Sequence, residues 1–116
     1  MGNLPISREE AIDLIKSYDQ KESDMNHYLE TEAIMKALAE KLGEDIEYWS
    51  MLGLLHDVDW ALTRDDWTDH CIKAVDILKG KGFDDEFIEL VQSHGYGYDE
   101  IPVLKDKKRT KKIEHA

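Results

Sequence analysis

The stretch DMNHYLETEAIMKALAEKLG, residues 24–43, reads as a helix from end to end. His27, Thr31, Ile34, Leu38 and Leu42 recur at steps of three and four, the spacing that gathers side chains on one face of an α-helix. These five positions are expected to face inward, and Gly43 follows where a helix commonly turns left-handed to stop. Downstream, a helix is expected from near Asp45, with Tyr48, Trp49, Leu52 and Leu55 as its apolar side, running into Gly53-Leu54-Leu55-His56-Asp57-Val58-Asp59-Trp60. Another covers Trp67 to Lys79 with Ile72, Val75 and Leu78 inside and Gly80 or Gly82 at its end. Asp84 can cap the next, whose Phe87, Ile88 and Val91 lead to His94, and Gly95-Tyr96-Gly97-Tyr98 stops it. Upstream, Ser7-Arg8-Glu9-Glu10 has the form of a capping box, followed by Ile12, Ile15 and Tyr18 on one stripe. No segment sustains period-two alternation, so the expected fold is all-α, a helical bundle with short connections.

The length of 116 residues suits a single domain, residues 1–116, with a core over about 24–116 and an N-terminal helix at 7–18. No apolar run approaches the roughly 20 residues that a bilayer span needs, so no membrane association is expected. Met1-Gly2-Asn3-Leu4-Pro5 lacks the basic stretch and apolar core of a signal peptide, and the lone Cys71 cannot form an internal disulfide. A cytoplasmic location follows as the expectation. The net charge is −11, yet residues 105–116 hold six bases against two acids, which leaves −15 on the other 104 residues. Such an acidic body repels long nucleic acid, whose binding depends on many neutralised phosphates.

Four of the five histidines, His27, His56, His70 and His94, fall on expected inward faces or at the ends of core helices; His115 lies near the terminus. Any one alone reads as a hydrogen-bonded packing residue. Four on separate helices of a bundle can also converge, and neutral imidazole is a common ligand for divalent transition metals. His56-Asp57 ends an apolar stretch that should bury it, and a buried carboxylate costs several kcal/mol unless a cation or hydrogen bonds compensate. A partly exposed helix-terminal Asp57 beside a core histidine is the alternative.

His56 lies 29 residues after His27, His70 a further 14 on, and His94 a further 24. With Leu54-Leu55-His56-Asp57, Asp69-His70 followed by Ala74 and Ile77-Leu78, and Ser93-His94 closing a helix, the chain resembles the HD-domain superfamily of metal-dependent phosphohydrolases from about Met25 to Ala116. The resemblance implies that His27, His56 and Asp57 are metal ligands, that His70 and His94 bind a second metal, and that Asp57 bridges both ions and helps orient the attacking water. Fe, Mn, Zn, Co and Ni all suit such a donor set, so one or two divalent transition metal ions of any of these kinds are expected. The implied reaction is hydrolysis of a small phosphorylated substrate, a phosphate ester or a nucleotide.

Two departures from the superfamily pattern stand out. Its last ligand is an Asp in a final helix, and no Asp follows Asp106. Either the chain is a shortened form that lacks this last family helix, or water, Glu114, His115 or a neighbouring chain takes the position. Many members also carry Gly and Lys shortly after His-Asp, where Val58-Asp59-Trp60 stands here. Asp59 could orient a ligand histidine or a water, or be an exposed acid; Trp60 is read as core in preference to a pocket wall. Positive charge for a phosphate would come from Arg64 or from Lys107-Lys108-Arg109, the latter being read as a solvated tail in preference to a substrate clamp. Tyr96 and Tyr98 could stack on a nucleobase or pack over the bundle end. Two other readings stay open: a metal- or ligand-binding module without turnover, because the final Asp is absent, and a helical interaction protein whose histidines belong to the core. Oligomeric state is open.

Overall fold

A computed structural model describes residues 4–101 and 103–108. Arg109, Glu114 and His115, and with them any final helix, lie outside the described residues. Among the described residues there are six α-helices and two 3-10 turns and no strand, so the chain is all-α. None of its described helices is long and apolar enough to cross a membrane. The chain divides into two compact units between His56 and Asp57.

The first unit holds α1 (Arg8–Lys16), α2 (Glu22–Leu42) and α3 (Ile46–Leu55). The capping box is present: the Ser7 hydroxyl accepts from the Glu10 N–H, and the Glu10 carboxylate accepts from the Ser7 N–H, both at 3.1 Å. α1 buries Ala11, Leu14 and Ile15, while Ile12 and Tyr18 are only half-buried. Arg8 forms a two-pronged ion pair with Glu32 of α2 at 2.7 and 3.0 Å. Gly43, at φ +71°, ends α2 in the left-handed region as expected. The Asp45 carboxylate caps α3 by accepting from the Tyr48 N–H.

The inward stripe of α2 is a correction to the pattern above. Tyr28, Met35 and Ala39 are its buried residues, whereas Ile34 is 58% exposed, Leu42 42% exposed, and His27 lies on the exposed side. The reason lies on α3. A Cβ placed on Gly53 would stand 2.8 Å from Met35 Cγ and 2.8 Å from the Thr31 carbonyl oxygen, so the two helices touch nearly backbone to backbone. Slender or small side chains such as Met35 and Ala39 fit such a contact, and branched Ile34 is turned away. α3 is apolar all round, with Tyr48, Trp49 and every residue from Met51 to Leu55 buried, as befits the central helix against which both α1 and α2 pack.

The second unit contains a short helix that the sequence pattern did not suggest, α4 (Trp60–Thr63), then a 3-10 turn Trp67–Asp69, α5 (Lys73–Gly80), α6 (Asp85–Gln92) and a 3-10 turn Ser93–Gly95. The single helix expected over Trp67 to Lys79 is therefore broken, and His70 is not helical. Its backbone is extended at ψ 137°, and Cys71 follows at φ +69°, a left-handed conformation that costs a non-glycine residue about 1–2 kcal/mol. Hydrogen bonds offset this cost. The Asp66 carboxylate accepts from the Thr68 N–H and holds the turn, and the buried Asp59 carboxylate accepts from the Ala74 N–H in the first turn of α5. α5 buries Ala74 and Leu78, with Ile72 and Val75 half-buried. α6, capped by Asp84, buries Phe87, Ile88, Leu90 and Val91. Cys71, Tyr96, Ile101 and Leu104 form a separate small core around the chain that follows.

Candidate functional site

In the first unit, the close approach of α2 and α3 at Gly53 sets His27 against His56. Their Nε2 atoms are 3.1 Å apart. His56 follows the last residue of α3 and its Nδ1 lies 2.7 Å from the Gly53 carbonyl oxygen. A carbonyl only accepts, so Nδ1 carries the proton and the Nε2 of the neutral ring presents a bare lone pair.

The second unit repeats this device. His94 sits in the 3-10 turn after α6, and its Nδ1 donates to the Val91 carbonyl at 2.7 Å, which again leaves Nε2 bare in the neutral ring. His70, 5% exposed, has its Nδ1 2.8 Å from Asp59 Oδ1 and 3.2 Å from Thr63 Oγ1. Asp59 is fully buried, and its second oxygen is taken by the Ala74 N–H at 3.1 Å. With Asp59 as acceptor, Nδ1 of His70 is the protonated nitrogen too. The two Nε2 atoms then meet at 3.1 Å, and Asp57 Oδ1 lies 3.2 Å from that of His70 and 2.8 Å from that of His94.

Three electron pairs thus converge on one point. Without a positive charge between them the arrangement is repulsive, and burial raises that repulsion by lowering the local dielectric. The protonation preferences report the same demand. Burial by itself disfavours the imidazolium of both His70 and His94, but hydrogen bonds to Asp57, joined at His70 by Asp59 and at both by Cys71, outweigh it, and both rings are held above the usual imidazole value. A proton or a metal cation can meet the demand. Two imidazoles and a carboxylate are the donor chemistry of divalent transition metals, so the residues present fit the ion that the pattern implies.

Cys71 was read in the sequence for its redox behaviour alone. Its fully buried sulfur lies 3.4 Å from Nε2 and 3.6 Å from Nδ1 of His94, and His70, Cys71 and His94 form a group of potential metal-binding side chains. Burial pushes the thiol up, but hydrogen bonds to His70 and His94 prevail and hold its pKa below the ordinary value. Nothing in the sequence beyond its place next to His70 marks this residue. Asp59 did have a signal, a second acid two residues after Asp57, and the orienting alternative for it agrees with the bonds it makes.

The remaining candidates separate. Trp60, preferred as core, is half-buried and lies edge-to-face on His70 at 5.2 Å between ring centres. Tyr96 belongs to the small core, with Lys107 Nζ 5.7 Å from its ring centre, whereas Tyr98 is 46% exposed. Arg64 is half-buried; Lys107 and Lys108 are exposed.

The HD domain family model matches residues 25–114. A tRNA (cytidine(56)-2'-O)-methyltransferase of Thermoplasma volcanium is 29% identical over 83 residues, which are 72% of this chain and 24% of that protein. A ribonuclease Y of Thermosipho melanesiensis is 33% identical over 70 residues, 60% of this chain and 14% of that protein. The chain thus spans about a quarter and a seventh of the length of these curated relatives. No solved structure matches it.

Proposed function

The chain belongs to the HD-domain family, and from that premise we propose that it is a metal-dependent phosphohydrolase acting on a small phosphate ester or a nucleotide. The observation that carries this reading is the meeting of the Nε2 atoms of His70 and His94 with Asp57 Oδ1 within 3.2 Å of one another. By the family pattern, His27, His56 and Asp57 would hold one ion, and Asp57, His70 and His94 would hold a second. Such ions, when bound, lower the pKa of a coordinated water and neutralise charge that builds on phosphoryl oxygens.

The protein's own part is arrangement. The Gly53 and Val91 carbonyls and Asp59 keep the protons of His56, His94 and His70 on Nδ1, so that Nε2 is available for a cation. Trp60 packs edge-to-face with the nearly buried His70 ring. Asp57 is the candidate catalytic residue, since its carboxylate can bind the metal and accept a hydrogen bond from the attacking water. The acidic balance of the chain, −11, favours a substrate with one or a few phosphates over a long polyanion.

Metal content and turnover test the proposal together. Protein grown with added Fe, Mn, Zn, Co or Ni should contain stoichiometric metal and hydrolyse members of a panel of phosphomonoesters and nucleotides, and His56→Ala should reduce both. If wild-type protein holds no metal and His56→Ala changes neither property, the proposal is wrong. If metal is bound tightly but the whole panel stays at the rate of the enzyme-free control, the chain is a binding module.

A further inference from the structure

The metal reading leaves unassigned a row of aromatic rings that starts at His70 and reaches the surface. Trp60 packs edge-to-face on His70 at 5.2 Å and on Trp67 at 5.4 Å. The Trp67 ring centre is 6.1 Å from that of His70 and 6.5 Å from that of Tyr98. Exposure rises along the row: Trp60 is half-buried, Trp67 39% exposed and Tyr98 46% exposed. Neither of the last two belongs to the neighbouring small core of Cys71, Tyr96, Ile101 and Leu104.

Two large adjoining aromatic side chains left open to water are unfavourable unless something covers them, and such patches mark recognition sites. The interplanar angles, 78° between Trp60 and Trp67 and 74° between Trp67 and Tyr98, are those of edge-to-face pairs, in which one ring's edge meets the other's face. An edge-to-face contact engages only one face or edge of a ring, so the exposed parts of Trp67 and Tyr98 can take a flat guest. The guest must also be joined to a group that the His70 end of the row attracts, and that end is the proposed phosphoryl site.

We propose that Trp67 and Tyr98 form an aromatic subsite for the nucleobase of a nucleoside monophosphate whose phosphate would lie against the cation that Asp57, His70 and His94 would hold. This inference rests on the proposed function and specifies its substrate. A single nucleotide suits the charge as well: its base gains stacking that tolerates any sequence, and it brings only one phosphate to an acidic protein. Trp67 and Tyr98 are specificity residues here and take no part in bond cleavage.

Adenosine 5'-monophosphate and ribose 5-phosphate share the scissile bond and the sugar and differ in the base. With metal-loaded protein, kcat/KM for the nucleotide should exceed that for the sugar phosphate by about 10–100-fold, the worth of one stacked base. Trp67→Ala and Tyr98→Ala should each bring that ratio down toward one, and Trp67→Phe should keep most of it. General damage to the site would lower both rates and leave the ratio alone. A ratio near one in the wild type, or a preference that survives both alanine variants, overturns the inference while leaving the hydrolase reading in place. If no metal gives hydrolysis of either ester, the hydrolase reading fails, and the subsite is decided by binding: adenosine should saturably quench tryptophan fluorescence of the metal-free protein, and Tyr98→Ala should weaken it. Absence of quenching overturns the inference.

Discussion

Replacing Asp59 by Asn changes one atom in a fully buried side chain and removes a requirement of the proposed centre. Both neighbours of this carboxyl donate: the Ala74 N–H at 3.1 Å by necessity, and His70 Nδ1 at 2.8 Å if its Nε2 is to offer a lone pair. A carboxylate accepts twice, but an amide accepts once and donates with its other end. In Asp59→Asn the amide nitrogen must therefore point either at the Ala74 N–H or at His70. The first choice leaves two buried donors facing each other and costs about 1–3 kcal/mol of stability. The second turns Nδ1 of His70 into the acceptor and moves its proton to Nε2, where it blocks the cation. Losing such an orienting partner typically costs about 10–100-fold in metal affinity, or about 1.4–2.8 kcal/mol. Competition against a fluorescent chelator for Zn or Co measures the affinity, thermal melting of metal-free protein measures the stability, and Asp69→Asn on an exposed neighbour is the control. If nitrogen NMR finds the His70 proton moved to Nε2 while Asp59→Asn still binds metal within twofold of wild type, or if the variant loses neither stability nor affinity, the argument is refuted.

Gly53→Ala would put a methyl group 2.8 Å from both Met35 Cγ and the Thr31 carbonyl, so α2 and α3 must separate; the expected loss is about 1–3 kcal/mol in denaturant unfolding, with weaker metal binding because His27 and His56 move apart. His27 is on the exposed side of α2, so His27→Leu should change metal-free stability by no more than about 0.5 kcal/mol. The same substitution should abolish much of the rise in melting temperature that metal produces, a rise worth about 2.7 kcal/mol at 100 times the dissociation constant. His70 and His94 have raised pKa values in the folded protein, so it holds protons that the unfolded chain releases. Their contribution to the stability of metal-free protein is therefore complete below pH of about 6.5 and is lost as pH climbs through the raised values. Metal replaces those protons, so melting curves of metal-loaded protein should not show this alkaline decline, and equal profiles with and without metal would contradict the assignment.

Helix existence was legible in the sequence because caps and periodicity agreed: Ser7, Asp45 and Asp84 cap where expected, and Gly43 stops α2. The buried face of α2 was not. Apolar residues occur on both sides of that helix, and only the neighbour decides which side is buried; Gly53 draws α2 close and selects Met35 and Ala39 over Ile34 and Leu42. The break at His70 was hidden for a related reason. Residues 67–79 have helical spacing, but hydrogen bonds from Asp66 and from Asp59, which is 15 residues before Ala74, outweigh local propensity. Propensity differences are below about 1 kcal/mol per residue, whereas an unsatisfied buried carboxylate costs several times that. Among the candidate site residues, His56, His70 and His94 each have a hydrogen-bonding partner at Nδ1, and the sequence, which put the histidines on inward faces or at the ends of core helices, did not distinguish those two placements.

The actual device is at helix ends. The last four carbonyls of an α-helix lack partners within it, and Gly53 and Val91 are among those of α3 and α6. A histidine three residues further on can cap that carbonyl through Nδ1–H, and in doing so it both satisfies the helix and fixes its own tautomer with Nε2 directed away. Leu54-Leu55-His56 and Gln92-Ser93-His94 are thus C-terminal capping segments as much as site motifs. His70 follows a 3-10 turn with extended backbone and has no such carbonyl, so its tautomer must be set by a side chain, and Asp59 supplies it. This asymmetry explains why a second acid, Asp59, is buried two residues after Asp57 against the Nδ1 of His70. It also makes the Asp59→Asn defect specific: the tautomers of His56 and His94, held by backbone, should remain as they are when that of His70 changes.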